Sequence, residues 1–320
     1  MRKSRSTGVA VAESREPARG TSAHSVLESI GRTPLVALAL PGLPPRVTVR
    51  GKCEWFNPGG SVKDRTALSL IIEGERLGAL RAGKTIVDSS SGNTAVGLAL
   101  VGRATGYPVE LYMPANVIEH RKLRCREYGA RIVESDPLLG SDGAILAVRE
   151  AVAAHPDRYF YADQYRNPAN PLAHYRTTGP EIWEQTGGAI THFVAGLGTS
   201  GTVMGTGRYL RERNPRVRIV AVEPDEPFHG LEGLKHMASA LVPEIYDPAG
   251  HDEKITVTTE DAYAMADQLR ATGLRVGNSA AGAAWAAREI ARREPGAWVV
   301  VLLPDAGEPG VDAAAAGATR

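Results

Sequence analysis

Lys63 stands in the run Asn57-Pro58-Gly59-Gly60-Ser61-Val62-Lys63-Asp64-Arg65, where turn residues give way to a stretch rich in Ala, Leu and Ile over 66–80. Asn-Pro and Gly-Gly punctuate turns, and the stretch that follows predicts a helix. Ser61 and Asp64 have the S-x-x-D spacing of a capping box at a helix start. Lys63 then falls in the first helical turn, at the positive end of the helix dipole, where a cation is disfavoured by roughly 0.3–1 kcal/mol. The placement becomes sensible if Lys63 carries an imine rather than an ammonium. A capped surface helix with an ill-placed lysine is the plainer alternative.

Two further segments suit anions. Ser89-Ser90-Ser91-Gly92-Asn93-Thr94 follows a short apolar strand at 85–88 and leads directly into a helix of Ala, Val, Gly and Leu. Strand, polar glycine loop and helix together present backbone N–H groups to an anion; an Asn/Thr-capped helix is the alternative. The second segment is Gly196-Leu197-Gly198-Thr199-Ser200-Gly201-Thr202, between a strand at 191–195 and a helix at 203–212. No lysine follows its last glycine, so it is not a P-loop, and it does not meet G-x-G-x-x-G strictly. The phosphate of a small cofactor fits this loop better than a nucleotide.

The elements that must carry these loops alternate. Strands are predicted at 46–55, 85–88, 109–113, 131–134, 159–161, 191–195, 217–222 and 298–303. Helices are predicted at 117–128, 142–154, 260–271 and 280–293. Alternation of strand and helix implies mostly parallel sheets covered on both faces. Two βα groups, at about 85–155 and 191–305, hold one glycine loop each, so a ligand touching both loops would sit in the cleft between two domains. The expected division is a disordered tail at 1–21, an α/β domain at 22–165 whose first strands are free to join the other domain, an α/β domain at 166–305, and a tail at 306–320. The turn-rich stretch 163–171 reads as a hinge.

Bulk properties narrow the function. A formal net charge of +1 over 320 residues gives no electrostatic reason to expect nucleic acid or an anionic membrane. No apolar run approaches the ~20 residues of a membrane span, and the N-terminus has no apolar core of a secretory signal. Cys53 and Cys125 lack metal-ligand spacing and suit a reducing, cytoplasmic setting. His229 and His236 have no third partner, so no metal is expected.

The run Asn57–Arg65 resembles the cofactor-lysine segment of the cysteine synthase and cystathionine β-synthase family, pyridoxal-phosphate enzymes related to the tryptophan synthase β subunit. The resemblance extends from about Gly31 to about Asp305. It implies fold type II of pyridoxal-phosphate enzymes, with two domains each holding a small, mostly parallel sheet. It implies that Lys63 binds pyridoxal 5′-phosphate as a Schiff base and takes the substrate α-proton. Ser90, Ser91, Gly92, Asn93 and Thr94 match the family's carboxylate loop, with Asn93 also at the cofactor's 3′ oxygen. Gly198, Thr199, Ser200, Gly201 and Thr202 match its phosphate cup. Gln164 takes a substrate-contacting position, and Ser279 the place at the pyridine nitrogen. A neutral hydroxyl there makes a weaker electron sink than an acid, which suits β-elimination to an aminoacrylate followed by addition of a nucleophile.

The nearest pattern is the cysteine synthase B type. The implied reaction is replacement of the oxygen substituent of O-acetylserine or O-phosphoserine by a sulfur nucleophile, small or delivered by a sulfur-carrier protein, in a homodimeric enzyme. Lys235 falls where some relatives hold an arginine for the phosphorylated donor. Cystathionine synthesis, synthesis of another β-substituted alanine such as 2,3-diaminopropionate, and a catalytically silent binding subunit are the rivals. Two departures bear on activity. An extra alanine follows Ser279 in Gly277-Asn278-Ser279-Ala280-Ala281-Gly282, and Asp305-Ala306-Gly307-Glu308 is not followed by the usual Arg-Tyr-Leu-Ser.

Overall fold

The structure, a computed structural model, describes residues 25–307. The tail expected at 1–21, and that at 306–320 apart from Ala306 and Gly307, lie outside the described residues. The chain opens with β1 (Leu35–Ala37) and β2 (Thr48–Cys53), an antiparallel pair. There follow α1 (Lys63–Arg76), β3 (Thr85–Ser89), α2 (Asn93–Thr105), β4 (Val109–Pro114), α3 (Glu119–Glu127), β5 (Arg131–Ser135), α4 (Gly140–Ala154) and β6 (Tyr159–Tyr161). The second half comprises α5 (Ala169–Arg176), α6 (Thr178–Gln185), β7 (His192–Gly196), α7 (Gly201–Arg213), β8 (Arg218–Pro224), β9 (Glu253–Val257), α8 (Thr259–Ala271), α9 (Asn278–Arg293) and β10 (Trp298–Leu303).

The strands make two sheets. One is parallel throughout, in the order β5-β4-β3-β6. The other runs β1-β2-β10-β7-β8-β9 and is parallel except at β1. β10 is central, which is why its sequence is apolar on both faces: Val299, Val300, Val301 and Leu303 have no exposed surface. One face of this sheet is covered by α8 and α9, whose alanines Ala280, Ala283, Ala284 and Ala287 pack in a cluster with Val194, Val220 and Val301. Small side chains let a helix lie close to a sheet of β-branched residues. The other face carries Ile182 of α6 with Val203 and Leu210 of α7. In the four-stranded lobe, α1 and α2 bury Leu70, Ile71 and Leu98 against Ile86 and Leu111, and α4 covers Val87 and Tyr159 with Ala144 and Val148.

Several expectations are corrected. α1 (Lys63–Arg76) has Lys63 in its first turn as expected, but it ends at Arg76, short of the expected Leu80. The capping box does not form: the cap residue is Val62, Ser61 Oγ accepts the Lys63 N–H at 3.2 Å, and Asp64 turns back to accept the Gly59 N–H at 2.5 Å. The glycine turn offers Asp64 a buried donor that a helix end in water would not have. The hinge reading at 163–171 gives way to helix from Ala169, which takes Pro171 into its first turn, where no intrahelical N–H is needed. β9 was not foreseen; it is a short edge strand whose alternate residues Lys254 and Thr256 are exposed, a pattern that hides a strand from a hydrophobicity reading.

A buried charge network joins the lobes. Lys52 on β2 has no exposed surface, and its Nζ donates to Thr33 O at 2.7 Å, Glu181 Oε2 at 2.7 Å and Gln185 Oε1 at 2.9 Å. Arg65, on the first turn of α1, donates to both carboxylate oxygens of Glu54, at 2.7 and 3.0 Å, and to both of Glu181, at 2.6 and 2.7 Å. These forks fix the start of α1, and so Lys63, to the six-stranded lobe.

Candidate active site

Lys63 is the first residue of α1, and the chain before it is held on three sides. Val62 N–H donates to Pro304 O at 2.9 Å, Ser61 pairs with Asp305 in an antiparallel bridge, and Arg124 of α3 donates to Gly59 O at 3.0 Å. Burial pushes the Lys63 amine below the usual lysine range, with the Asp305 carboxylate acting in opposition. Among the described residues no acceptor lies within hydrogen-bond distance of its Nζ. Lys63 lines a cavity of about 1030 Å³ between the lobes, shared with Ser89–Thr94, Gln164, Gly198, Thr199, Thr202, Lys235 and Ser279. The lysine and both glycine loops therefore converge on one space.

The first loop ends β3 and opens α2, with Asn93 as first helical residue. Ser90 Oγ accepts the N–H groups of Gly92 at 3.3 Å and Ala95 at 3.2 Å. A hydroxyl that accepts twice still has its proton to donate. Thr94 already donates its proton to Gln164 Oε1 at 2.7 Å, and Gln164 Nε2 donates to Ser89 O at 3.1 Å. Thr94 could reach a carboxylate only by exchanging that bond. Beneath the loop, Asp88 accepts from the Ser89 N–H at 2.8 Å and the Gln164 N–H at 3.3 Å. Its burial pushes the acid up to about 8.

The second loop ends β7 and opens α7. Ser200 caps the helix at φ 69°, a left-handed conformation that strains a non-glycine residue, and its buried Oγ has no partner. Gly198, Thr199 and Thr202 form cavity wall; Ser200 and Gly201 do not reach it. A Cβ on Gly201 would lie 2.0 Å from Asn170 Oδ1, so only glycine fits there. The N–H groups of a helix start, the Thr199 and Thr202 hydroxyls on the cavity wall and a loop without carboxylates fit a phosphate dianion.

Ser279 lies in the first turn of α9, which starts at Asn278, two residues before the predicted 280. The extra alanine is absorbed in the helix: Ala280 and Ala281 are both fully buried in the core. Lys235, in the long connection between β8 and β9, holds its Nζ 5.1 Å from the centre of the Tyr165 ring. Burial lowers its proton affinity, opposed by Asp142.

Three residues around the site were not singled out beforehand. Asn170 donates to Thr199 Oγ1 at 3.0 Å and to Gln164 O at 2.7 Å, joining the cup to the Gln164 segment. His174 lies within 3.4 Å of Thr66 Oγ1 and 3.3 Å of Thr202 Oγ1, and burial, with Lys63 and Arg65 nearby, drives its pKa well down, so it is neutral. Their i, i+4 spacing would have put both on one helix face, had 163–171 not been read as a hinge. The third is Asp305, which accepts from Asn93 Nδ2 at 2.8 Å.

Residues 26–305 match the family described as pyridoxal-phosphate dependent enzymes. The chain is 50% identical over 293 residues to a cysteine synthase of Aquifex aeolicus, covering 89% of this chain and 90% of that one. It is 39% identical to a cysteine synthase B of Salmonella typhimurium, covering 89% and 93%. A solved cysteine synthase structure from Entamoeba histolytica superposes with a TM-score of 0.85 at 33% identity, covering 93% of this chain and 91% of that one. A buried lysine whose proton affinity is lowered and a helix-start loop that fits a phosphate are what this cofactor needs of a protein, and the chain belongs to the pyridoxal-phosphate-dependent enzymes.

Proposed function

We propose that the protein replaces the β-substituent of an O-activated L-serine with a sulfur nucleophile, giving L-cysteine. The observation that carries this reading is the convergence of Lys63, the Ser89–Thr94 loop and the α7 cup on one cavity, in a chain half identical to a cysteine synthase.

When bound, pyridoxal phosphate supplies an electron sink at the substrate α-carbon. The N–H groups at the start of α7, with Thr199 and Thr202 on the cavity wall, would hold its phosphate, and Asn93 and Ser279 would meet its ring. Lys63 Nζ would hold it covalently and, when free, act as the base at the α-carbon; its burial favours the neutral amine that this needs. Ser90, with its proton still to give, Ser91, Gly92, Thr94 and the first N–H groups of α2 would hold the substrate carboxylate, with Gln164 completing the wall. A neutral Ser279 favours loss of a good leaving group over long-lived carbanion chemistry. Buried free thiols at Cys53 and Cys125 suit a reducing cytoplasm, and the same reading carries a homodimer.

Lys235 bears on the donor. A half-buried lysine on the cavity wall, with its Nζ over the Tyr165 ring, suits an anionic leaving group. A phosphate there gains a charge-assisted bond of about 1.5–3 kcal/mol that an acetyl ester lacks. A panel of O-acetylserine and O-phosphoserine against several sulfur and nitrogen nucleophiles, read by mass spectrometry, tests both points. Cysteine should form with a sulfur nucleophile, O-phosphoserine should serve at least as well as O-acetylserine, and Lys235→Ala should lower kcat/KM selectively for the phosphorylated donor. Products only from nitrogen nucleophiles or homocysteine would move the assignment to another β-replacement; equal losses for both donors would make Lys235 a bystander.

A further inference from the structure

Asp305, at the end of β10, belongs to a motif for which the reaction above has no use, yet four segments meet at it. Its backbone pairs with Ser61, and its carbonyl accepts the Gly277 N–H at 3.2 Å. Its carboxylate accepts from Asn93 Nδ2 at 2.8 Å and from the Gly307 N–H at 2.9 Å. A Cβ on Gly277 would lie 2.2 Å from Asp305 Oδ1. Gly277 has an ordinary φ of −70°, so the carboxylate, not the backbone, demands glycine there. The acid is thus built into the head of α9, next to Asn278 and Ser279.

A carboxylate only accepts hydrogen bonds. An amide beside it must turn its nitrogen inward, and Asn93 is left with one further N–H to offer. We propose that Asp305 is a positioning residue for the cofactor: it orients Asn93 so that the remaining N–H faces the cavity, and it sets a negative charge against the Lys63 amine. This rests on the reading that Lys63 and Asn93 hold the cofactor. The charged or titratable groups that act on Lys63 are Asp305 from the end of β10 and His174 from α5, the latter neutral. Burial lowers the proton affinity of Lys63, and Asp305 restores part of it.

The test uses the full chain with Asp305→Asn and Asp305→Ala. In the cofactor-free protein, trinitrobenzenesulfonate labelling of Lys63, located by peptide mass spectrometry, should run about 3- to 10-fold faster below the amine's midpoint, since loss of the carboxylate lowers that midpoint. In the loaded protein the cofactor absorption band and its pH titration should shift, and Asp305→Asn should add little to the shift produced by Asn93→Ser. Unchanged labelling with normal loading would make Asp305 merely structural. Should both Asp305 variants fail to fold, an unchanged spectrum in Asn93→Ser overturns the proposal from the other side. Failure of the unaltered protein to take up pyridoxal phosphate would instead sink the reading of the site.

Discussion

Lys52 and Lys63 lie on the two sides of one buried charge network, and they were solved differently by the fold. Burial presses both amines toward neutrality. Lys52 answers with three acceptors within 2.9 Å, and the Glu181 it pairs with is held down to about 2, against burial, by Arg65 and Lys52. Its ammonium has every proton placed, and nothing remains for chemistry. Lys63 has a carboxylate nearby but no hydrogen-bond partner for its Nζ among the described residues, and it lines a cavity. The contrast separates a buried lysine whose protons are all placed on acceptors from one whose amine is left to a cavity. It also shows what the satisfied network is for, since Arg65 stands two residues beyond Lys63 and clamps the turn that aims it.

The same substitution at both lysines breaks the comparison most sharply. Lys63→Met should abolish covalent cofactor capture and lower turnover by at least about 10³-fold, within the range of a lost base and nucleophile, while the thermal midpoint holds or rises. Borohydride reduction of the unaltered protein followed by peptide mapping should place the adduct on Lys63; an adduct elsewhere ends the assignment. Lys52→Met should do the reverse. Removing one partner from a buried ion network costs about 3–5 kcal/mol, read by denaturant unfolding, with turnover per folded molecule within about twofold. An unchanged stability would mean that Arg65 alone holds the lobes. The smallest effect sharpens the site itself: Ser279→Ala should slow turnover by about tenfold, roughly 1.4 kcal/mol, with the cofactor still attached. A silent Ser279→Ala beside a slow Asn278→Ala would hand the role to Asn278.

Much of the site was legible because its chemistry is local. Ser89–Thr94 and Gly196–Thr202 each announce a strand, a glycine loop and a helix start within a few residues, and a helix start binds anions wherever it occurs. The alternation of β3 to β6 likewise set the fold class. Where the reading failed, a local rule met a distant partner. Ser61 and Asp64 had cap spacing, but the Gly59 turn captured Asp64. Asn170-Pro171 looked like a turn, but proline is harmless in the first turn of α5, and that helix packs with α7.

By itself the sequence determined the chemical groups, their loops and the order of elements, because periodicity and turn chemistry act over a few bonds. Only the tertiary structure decided which groups meet. β2 crosses to pair with β10, 250 residues later in register at Thr48 and Trp298, and so brings Lys52 to Glu181. Asp305 reaches Asn93 across 212 positions. The lowered proton affinity of Lys63 belongs to this second class as well, since desolvation is a property of everything packed around an amine and of no residue beside it in the chain.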